Sequence, residues 1–266
     1  MLVLLTLACG RKPPLAPVRT AELDIMFLDV GQGDAALIRT PEGATVVIDT
    51  GHNGQIVPLL RSHGVVRIDL LILSHSHVDH TGGLNALRVS FPIIETWYAG
   101  RYRGRIGQTV AGMDSAQTVA AGMTKTLGHL TLLVLHPEPN AGLSEGGDSE
   151  VNNGSVVVKA VYGTTQYLFP GDCELGCWGD MFRLHRSDLR ADVLKVAHHG
   201  SWNGTNSGVL GNVRPAVAVI SCGRENRYGH PNPIVLKMLQ QIRAKVFRTD
   251  EQGTIHCLGA DCVPEN

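Results

Sequence analysis

Short apolar runs separated by glycine-rich turns follow one another along the chain, and this pattern predicts many brief β-strands. Near the start, Gly31-Gln32-Gly33 and Pro41-Glu42-Gly43 divide three such runs into an antiparallel meander. Helical periodicity predicts helices over Ile56–His63, Gly82–Ser90 and Pro233–Ala244. Residues 100–128 are polar and glycine-rich, and no element is assigned to them. The predicted strands are Leu23–Val30, Asp34–Thr40, Ala44–Asp49, Ile68–Leu73, Ile93–Tyr98, Leu130–Leu135, Ser155–Val161, Gln166–Phe169, Ala191–Val196, Ala216–Ser221 and Lys245–Arg248. Strand meanders interleaved with helices favour two packed sheets with helices outside.

The composition of the chain limits which class of protein it is and which partners it can bind. Hydrophobic residues make up 43% and charged residues 18%, so the chain can bury a core and is not intrinsically disordered. With 23 basic and 24 acidic residues there is no overall positive field, and any recognition of phosphate must be local. Aromatic residues are 5%, which argues against a base-stacking platform for single-stranded nucleic acid.

The first twenty residues differ from the rest of the chain. Residues 1–8 are apolar but too few to span a bilayer, and Cys9, two basic residues and three prolines follow. This segment resembles a bacterial lipoprotein signal in which Cys9 is lipidated, followed by a stiff tether. We expect residues 1–20 to be that signal and tether and residues 21–266 to be one folded domain. The protein is then exported, as a periplasmic or cell-surface lipoprotein attached to the membrane through Cys9. The alternative is a ragged apolar N-terminus left by a wrong start.

The other cysteines weakly support export. Cys257 and Cys262 flank a short loop and could pair in an oxidising compartment, and Cys173 and Cys177 could pair too, with poorer geometry if they are helical. Their spacing does not match a paired zinc site.

The strongest chemical signal is the segment His75-Ser76-His77-Val78-Asp79-His80, which directly follows an apolar strand. Three imidazoles and one carboxylate within six residues suit a divalent transition metal. In an extended segment His75 and His77 share a face, and Asp79 and His80 are free to turn toward a second ion. A surface histidine cluster is a poor alternative, because the segment lies between an apolar run and Gly82-Gly83.

This motif resembles the signature of the metallo-β-lactamase superfamily, and further matching motifs follow in order. They are Leu28-Asp29-Val30-Gly31-Gln32-Gly33-Asp34-Ala35, Ile48-Asp49-Thr50-Gly51, Leu168-Phe169-Pro170-Gly171-Asp172, Asp192–Ser201 and Asn226-Arg227-Tyr228-Gly229-His230-Pro231. Together they resemble the extracellular hydrolase domain of ComEC-type competence proteins and its free-standing relatives, over residues 23–256. The resemblance implies an α/β fold, the four-layer αββα sandwich, in which two mixed sheets pack face to face with helices outside.

The resemblance also implies the ligands of one or two divalent metal ions. The implied set is His75 and His77 on one ion, Asp79 and His80 on a second, Asp172 bridging the two, and His199 completing the second. His198, beside it, then faces the substrate; of the two adjacent histidines we favour His199 as the ligand. The alternative for Asp172 is a cap on the following helix.

One departure from many superfamily members affects the metal. They carry another histidine ligand where this chain reads Val151-Asn152-Asn153-Gly154-Ser155, as in the ComEC-like branch. The first ion is one protein ligand short unless Asn152 or Asn153 contributes an oxygen. Oxygen ligands favour Mn²⁺ over Zn²⁺, so the predicted cofactor is one or two ions of Zn or Mn.

Residues outside the ligand set have expected roles as well. Asp49, and in the same way Asp34, are expected to orient the metal loop. Tyr228 and His230 lie on a loop framed by glycine and proline, on the substrate side. The alternating arginines could contact a second phosphate, although a solvated basic face explains them as well; they are Arg101, Arg103 and Arg105.

These residues predict a metal-dependent hydrolase, a phosphodiesterase or nuclease in which the metal ions hold a bridging hydroxide. Asp79 and Asp172 position it, and His198 or His230 stabilises the transition state or protonates the leaving group. The expected substrate is a phosphodiester, possibly DNA; no protein partner follows from the sequence. The alternatives are a hydrolase of a lactam, lactone or thioester, a surface lipoprotein without turnover, and a DNA-uptake factor that binds without cutting.

Overall fold

A computed structural model describes residues 22–100, 102, 104–139 and 147–265. The predicted signal and tether, with Cys9, lie outside the described residues, as do Arg101 and Arg103. Among the residues described, no helix is long and apolar enough to cross a lipid bilayer.

Two mixed β-sheets form the centre of the molecule. Within the described ranges the first sheet has eight strands in the order β15-β14-β1-β2-β3-β4-β5-β6, and the second has seven in the order β13-β12-β11-β10-β9-β8-β7. The strands are β1 (Asp24–Phe27), β2 (Ala36–Arg39), β3 (Thr45–Ile48), β4 (Leu70–Ile72), β5 (Thr96–Tyr98), β6 (Ala116–Thr118), β7 (Thr124–Leu127), β8 (Leu130–His136), β9 (Val157–Tyr162), β10 (Thr165–Phe169), β11 (Val193–Lys195), β12 (Val217–Ile220), β13 (Lys245–Arg248), β14 (Ile255–Leu258) and β15 (Asp261–Pro264).

Helices cover the outer face of each sheet. They are α1 (Ile56–Ser62), α2 (Val78–Thr81), α3 (Leu84–Ser90), α4 (Gly104–Ala111), α5 (Asp148–Asn153), α6 (Leu175–Leu184), α7 (Ser207–Val213), α8 (Pro233–Gln241) and α9 (Thr249–Gln252), with 3₁₀ turns at Arg186–Asp188 and Ala197–Gly200.

Successive residues of a strand point to opposite faces of the sheet and so contribute to different apolar cores. In β1, Ile25 and Phe27 join a core shared by both sheets, whereas Met26 faces the core under α1, α3 and α4. In β12, Val219 joins the shared core and Ala218 the core under α6, α7 and α8. Three apolar interfaces therefore separate four layers, and the fold is the predicted αββα sandwich.

The predicted strands are present with bounds that differ by at most three residues, and the first three form the expected antiparallel meander. Residues 100–128, left without an element, contain α4, β6 and β7. These two strands are polar and exposed, because they pair at the sheet edges, so no apolar alternation marks them. The sequence pattern also does not predict α2, α5, α7, α9 or the β14–β15 hairpin. That hairpin places Cys257 opposite Cys262.

Parallel pairing brings the carboxyl ends of several strands to one edge of the sandwich. β3 is parallel to β4, and β10, β11 and β12 are parallel to one another. The loops that follow β3, β4, β10 and β11 carry Asp49, the His75–His80 segment, Asp172 and the His198-His199 pair. Every predicted metal ligand therefore lies in a segment that follows one of these strands at this edge, with Asp79 and His80 in α2 and His199 in a 3₁₀ turn.

Candidate metal centre

The His75–His80 segment turns sharply after β4. His77 has extended backbone angles, and the four-residue helix α2 begins directly after it. His75 Nε2 lies 3.0 Å from His77 Nδ1 on one side of this turn. On the other side, His80 Nε2 lies 3.2 Å from Asp172 Oδ1. The turn into α2 thus directs the two halves of the motif to neighbouring positions.

The structure gathers the six predicted ligands into two groups that share one carboxylate. Within each group, ligand atoms lie within 4.8 Å of one another. The groups are His75, His77 and Asp172, and Asp79, His80, Asp172 and His199. Asp172 is 2% exposed and does not cap α6, at whose N-cap position Glu174 stands.

The adjacent histidines have different surroundings because both adopt left-handed backbone angles, with φ of 49° and 53°. The Nδ1 of His199 lies 2.8 Å from the Ser221 carbonyl oxygen, to which it donates, so its Nε2 faces the carboxylates. That Nε2 lies 3.3 Å from Asp79 Oδ2 and 3.5 Å from Asp172 Oδ2. His198 stands farther out, with Nε2 3.7 Å from Asp172 Oδ2, and lines the cavity described below.

Unpartnered atoms test whether these residues fit a metal ion. His80 Nε2, His199 Nε2 and Asp172 Oδ1 are buried and make no hydrogen bond to any described residue. Buried polar atoms are costly without a partner, and here three of them converge. Imidazole nitrogens and carboxylate oxygens are the donors that Zn²⁺ and Mn²⁺ accept. The residues present fit a divalent ion.

Asp49 holds the metal loop in place. Its Oδ1 accepts a hydrogen bond from the Ser74 backbone N–H at 2.7 Å, and its Oδ2 accepts one from the Ser74 hydroxyl at 2.7 Å. The same Oδ2 lies 2.7 Å from His80 Nδ1, which leaves His80 Nε2 directed at Asp172. Burial raises the pKa of Asp49.

Asp34 supports the other half of the site. Its carboxylate forms a buried ion pair with Lys195 and lies 3.3 Å from His199 Nδ1. Burial alone would raise the pKa of Asp34, but the Lys195 ammonium and the imidazoles of His199 and His80 lower it. Asp34 thus has the orienting contacts expected for it. The ion pair with Lys195 was not predicted from the sequence.

Burial and nearby charges shift the pKa values of the imidazoles in this cluster in opposite directions. Burial lowers the pKa of His75 well below its usual value. For His80 and His199 the burial cost is exceeded by nearby carboxylates, chiefly Asp172, and their pKa values are raised well above the usual value. Because metal binds deprotonated imidazole, ion uptake displaces protons here.

The two asparagines offered as extra ligands have different positions. Asn153 is engaged: its Oδ1 accepts from the Cys177 N–H at 2.8 Å and its Nδ2 donates to the Ser149 carbonyl at 2.8 Å. Asn152 donates from Nδ2 to Glu174 Oε1 at 2.8 Å, but its buried Oδ1 has no partner among the described residues. Asn152 also lines the cavity, so it is the asparagine with an oxygen to offer.

A cavity of about 470 Å³ opens over the cluster. His230 and Tyr228 line it, together with three residues that the sequence analysis did not select: Gln32, Asn203 and Glu174. Burial, with His199 and His198 nearby, lowers the pKa of His230 to about 4. Gln32 belongs to a motif already singled out for its glycines, and Glu174 lies two residues after Asp172, so position alone could have suggested both.

Both candidate cysteine pairs are disulfides. Cys173 and Cys177 are bonded, with Cα atoms 5.5 Å apart, because α6 begins only at Leu175 and Cys173 stands outside it. Cys257 and Cys262 are bonded across the β14–β15 hairpin. Cys222 is free and buried.

Comparison with known proteins agrees with this geometry. Residues 28–224 match the Metallo-beta-lactamase superfamily. The chain is 29% identical over 265 residues to ComE operon protein 3 of Bacillus subtilis (90% of this chain, 33% of that protein). It is 30% identical over 258 residues to Competence protein ComA of Neisseria gonorrhoeae (92% and 33%). The chain thus spans about a third of the length of these relatives.

Among solved structures, Tm1679, a metal-dependent hydrolase of the beta-lactamase superfamily, superposes with a TM-score of 0.58 at 14% identity. The match covers 92% of this chain and 99% of that one, and it supports the fold. The chain belongs to the metallo-β-lactamase superfamily, with ComEC-type competence proteins among its relatives.

Proposed function

We propose that this member of the metallo-β-lactamase superfamily is a metal-dependent phosphodiesterase that acts as a nuclease. The observation that carries the proposal is a buried histidine–carboxylate cluster in two groups that share Asp172, open to a cavity. Its relatives include competence proteins, which makes DNA the phosphodiester to test first.

The residues of the two groups would hold one ion each. His75 and His77 would hold the first with Asp172, and Asn152 Oδ1 is available beside them; Asp79, His80 and His199 would hold the second with Asp172. When bound, two divalent ions supply Lewis acidity and a nucleophile at neutral pH.

The chain itself orients the substrate. His198 and His230 line the cavity; His198 Nδ1 lies 3.3 Å from Glu174 Oε1, whereas the buried Nδ1 of His230 lacks a hydrogen-bond partner in the described ranges. Each ring can hydrogen-bond to a phosphate oxygen or the leaving group. The amides of Gln32 and Asn203 add polar groups to the same wall, as recognition of a charged tetrahedral centre requires.

Hydrolysis of a lactam, lactone or thioester is the second candidate. The extra histidine ligand of many superfamily members is replaced here by the Asn152 region, and the cavity wall is rich in polar donors, both of which favour the phosphodiester. A binding lipoprotein without turnover, or a DNA-uptake factor that does not cut, is disfavoured because all six predicted ligands lie together.

Export is part of the proposal. Two disulfides within the described ranges are typical of an oxidising compartment. Attachment through a lipidated Cys9 is proposed from the sequence alone.

The test is hydrolysis of bis-p-nitrophenyl phosphate and of single- and double-stranded DNA by metal-stripped protein resupplied with Mn²⁺ or Zn²⁺. We expect activity to return with metal and to be lost in Asp172→Ala. His129→Ala is the matched control, because His129 lies exposed away from the cluster. Full activity of Asp172→Ala, or none in the reloaded wild type despite tight metal uptake, would overturn the proposal.

A further inference from the structure

A column of rings runs outward from the metal centre. The His199 and His230 rings are 6.2 Å apart between centroids with planes at 27°, and His230 and Tyr228 are 5.9 Å apart at 23°. The Arg227 guanidinium lies over Tyr228, its Cζ 5.1 Å from the ring centroid, and donates from Nη2 to the phenolic oxygen at 3.0 Å. Arg227 therefore ends the column, on the solvent side of two cavity-lining residues.

The loop that carries this column is fixed by Asn226. Its Oδ1 accepts from the His230 N–H at 3.0 Å, and its Nδ2 donates to the His230 carbonyl at 2.6 Å and the Gly223 carbonyl at 2.9 Å. The rings that follow Asn226 are therefore presented on a rigid turn.

The outer end of the column has unused binding capacity. Arg227 is exposed and forms no ion pair with the described residues, although the neighbouring cavity is lined by carboxylates. A guanidinium stacked on a ring keeps most of its N–H donors free for a phosphate. Tyr228 is 53% exposed, and the outer face of the guanidinium that lies over it is open to a planar ligand.

We propose that Arg227 and Tyr228 form a subsite for a second nucleotide of a single-stranded nucleic acid; this inference rests on the proposed function. The scissile phosphate lies at the metal centre, the Arg227 N–H groups pair with a different phosphate of the same strand, and a base stacks on the outer face of the Arg227–Tyr228 pair. Two successive centroid-to-centroid distances of about 6 Å separate the His199 ring from the Tyr228 ring, so one phosphate cannot contact both the metal centre and Arg227. Successive phosphates along one nucleic acid strand can contact the metal centre and Arg227 together.

A single strand fits this pair better than a duplex. Its bases are open to stack on aromatic rings and arginine planes, whereas bases in a duplex are stacked on each other. The low aromatic content of the chain argued against a base-stacking platform, but two of its few exposed aromatics are here: Tyr228, and Trp202 beside the cavity-lining Asn203.

The experiment measures binding of a fluorescein-labelled, hydrolysis-resistant phosphorothioate dT10 to the Mn²⁺-loaded full chain by anisotropy, across a salt series. Arg227→Ala should raise the Kd about tenfold and reduce the slope of log K against log salt by about 0.7. Arg88→Ala removes the same charge from an exposed position on α3, which does not line the cavity, and should bind like the wild type. Tyr228→Ala should weaken binding about fivefold or more while Tyr228→Phe does not.

An abasic decamer tests the base directly: wild type should bind it as weakly as Tyr228→Ala binds dT10. Equal binding by Arg227→Ala and wild type, an equal loss in Arg88→Ala, or no preference for dT10 over the abasic strand would overturn the subsite. Hydrolysis of bis-p-nitrophenyl phosphate by the wild type, measured in parallel, reports on the proposed function separately: its absence would count against the phosphodiesterase, whereas the dT10 results decide the subsite.

Discussion

Lys195 at the end of β11 places a buried ammonium against Asp34, which precedes β2 in the other sheet. The two residues are 4% and 6% exposed. Substituting Lys195→Met keeps the length of the side chain and removes its charge. The Asp34 carboxylate then remains buried beside His199 without its ammonium partner.

The expected loss of stability follows from leaving the Asp34 carboxylate buried without its ammonium partner. Removing one partner of a buried ion pair costs about 3–5 kcal/mol. The carboxylate can limit that cost by binding a proton, which at pH 7 takes about 4 kcal/mol from an ordinary pKa near 3.9. We therefore expect Lys195→Met to lower the free energy of unfolding of the metal-free protein by about 3–4 kcal/mol. The double variant with Asp34→Asn should recover about 2 kcal/mol of this, because it buries no unpaired charge.

Urea unfolding in EDTA at pH 7, followed by circular dichroism, measures these differences. Lys159→Met is the matched control: the Lys159 ammonium donates to the Asp188 backbone carbonyl at 2.7 Å, and its loss should cost about 1–2 kcal/mol. A loss below 1 kcal/mol in Lys195→Met, or no recovery in the double variant, would refute the reasoning.

Three further expectations follow from the structure. Gly33 has φ of 138°, and an added Cβ would overlap the Asp79 carbonyl oxygen, so Gly33→Ala should weaken metal binding at least tenfold in equilibrium dialysis. Gly31→Ala is the control for backbone strain, because Gly31 also has a positive φ, 76°, but open space around it, and this variant should not weaken metal binding. Burial lowers the pKa of His136, so the unfolded chain binds its proton first as pH falls below about 6.5. His136→Asn should therefore remove a loss of stability of up to about 1.4 kcal/mol per pH unit just below pH 6.5, and an unchanged pH slope would contradict this. Replacing both cysteines of the β14–β15 disulfide by serine should cost about 2 kcal/mol in urea unfolding without changing metal content; a loss of bound metal would count against this.

Sequence reasoning succeeded where neighbours in the chain are also neighbours in space. The His75–His80 motif lies in one loop after an apolar strand, and its residues form most of the cluster. The layers were predictable because alternate apolar residues in strands such as β1 and β12 face different cores.

What escaped prediction depends on topology. Lys195 meets Asp34 only because β11 and the loop before β2 end at the same edge, and no spacing in the chain records that contact. Glu174 reaches Asn152 across 22 residues in the same way. The separate positions of His198 and His199 come from left-handed backbone angles, which the local sequence does not specify.

Metal content tests the central claim, two ion sites that share Asp172, most directly. Equilibrium dialysis against Mn²⁺ or Zn²⁺, with metal counted by mass spectrometry, should give two ions per wild-type chain and one per His77→Ala chain, with His129→Ala unchanged at two. Wild-type protein that binds no metal, or His77→Ala that still holds two ions, would contradict the account.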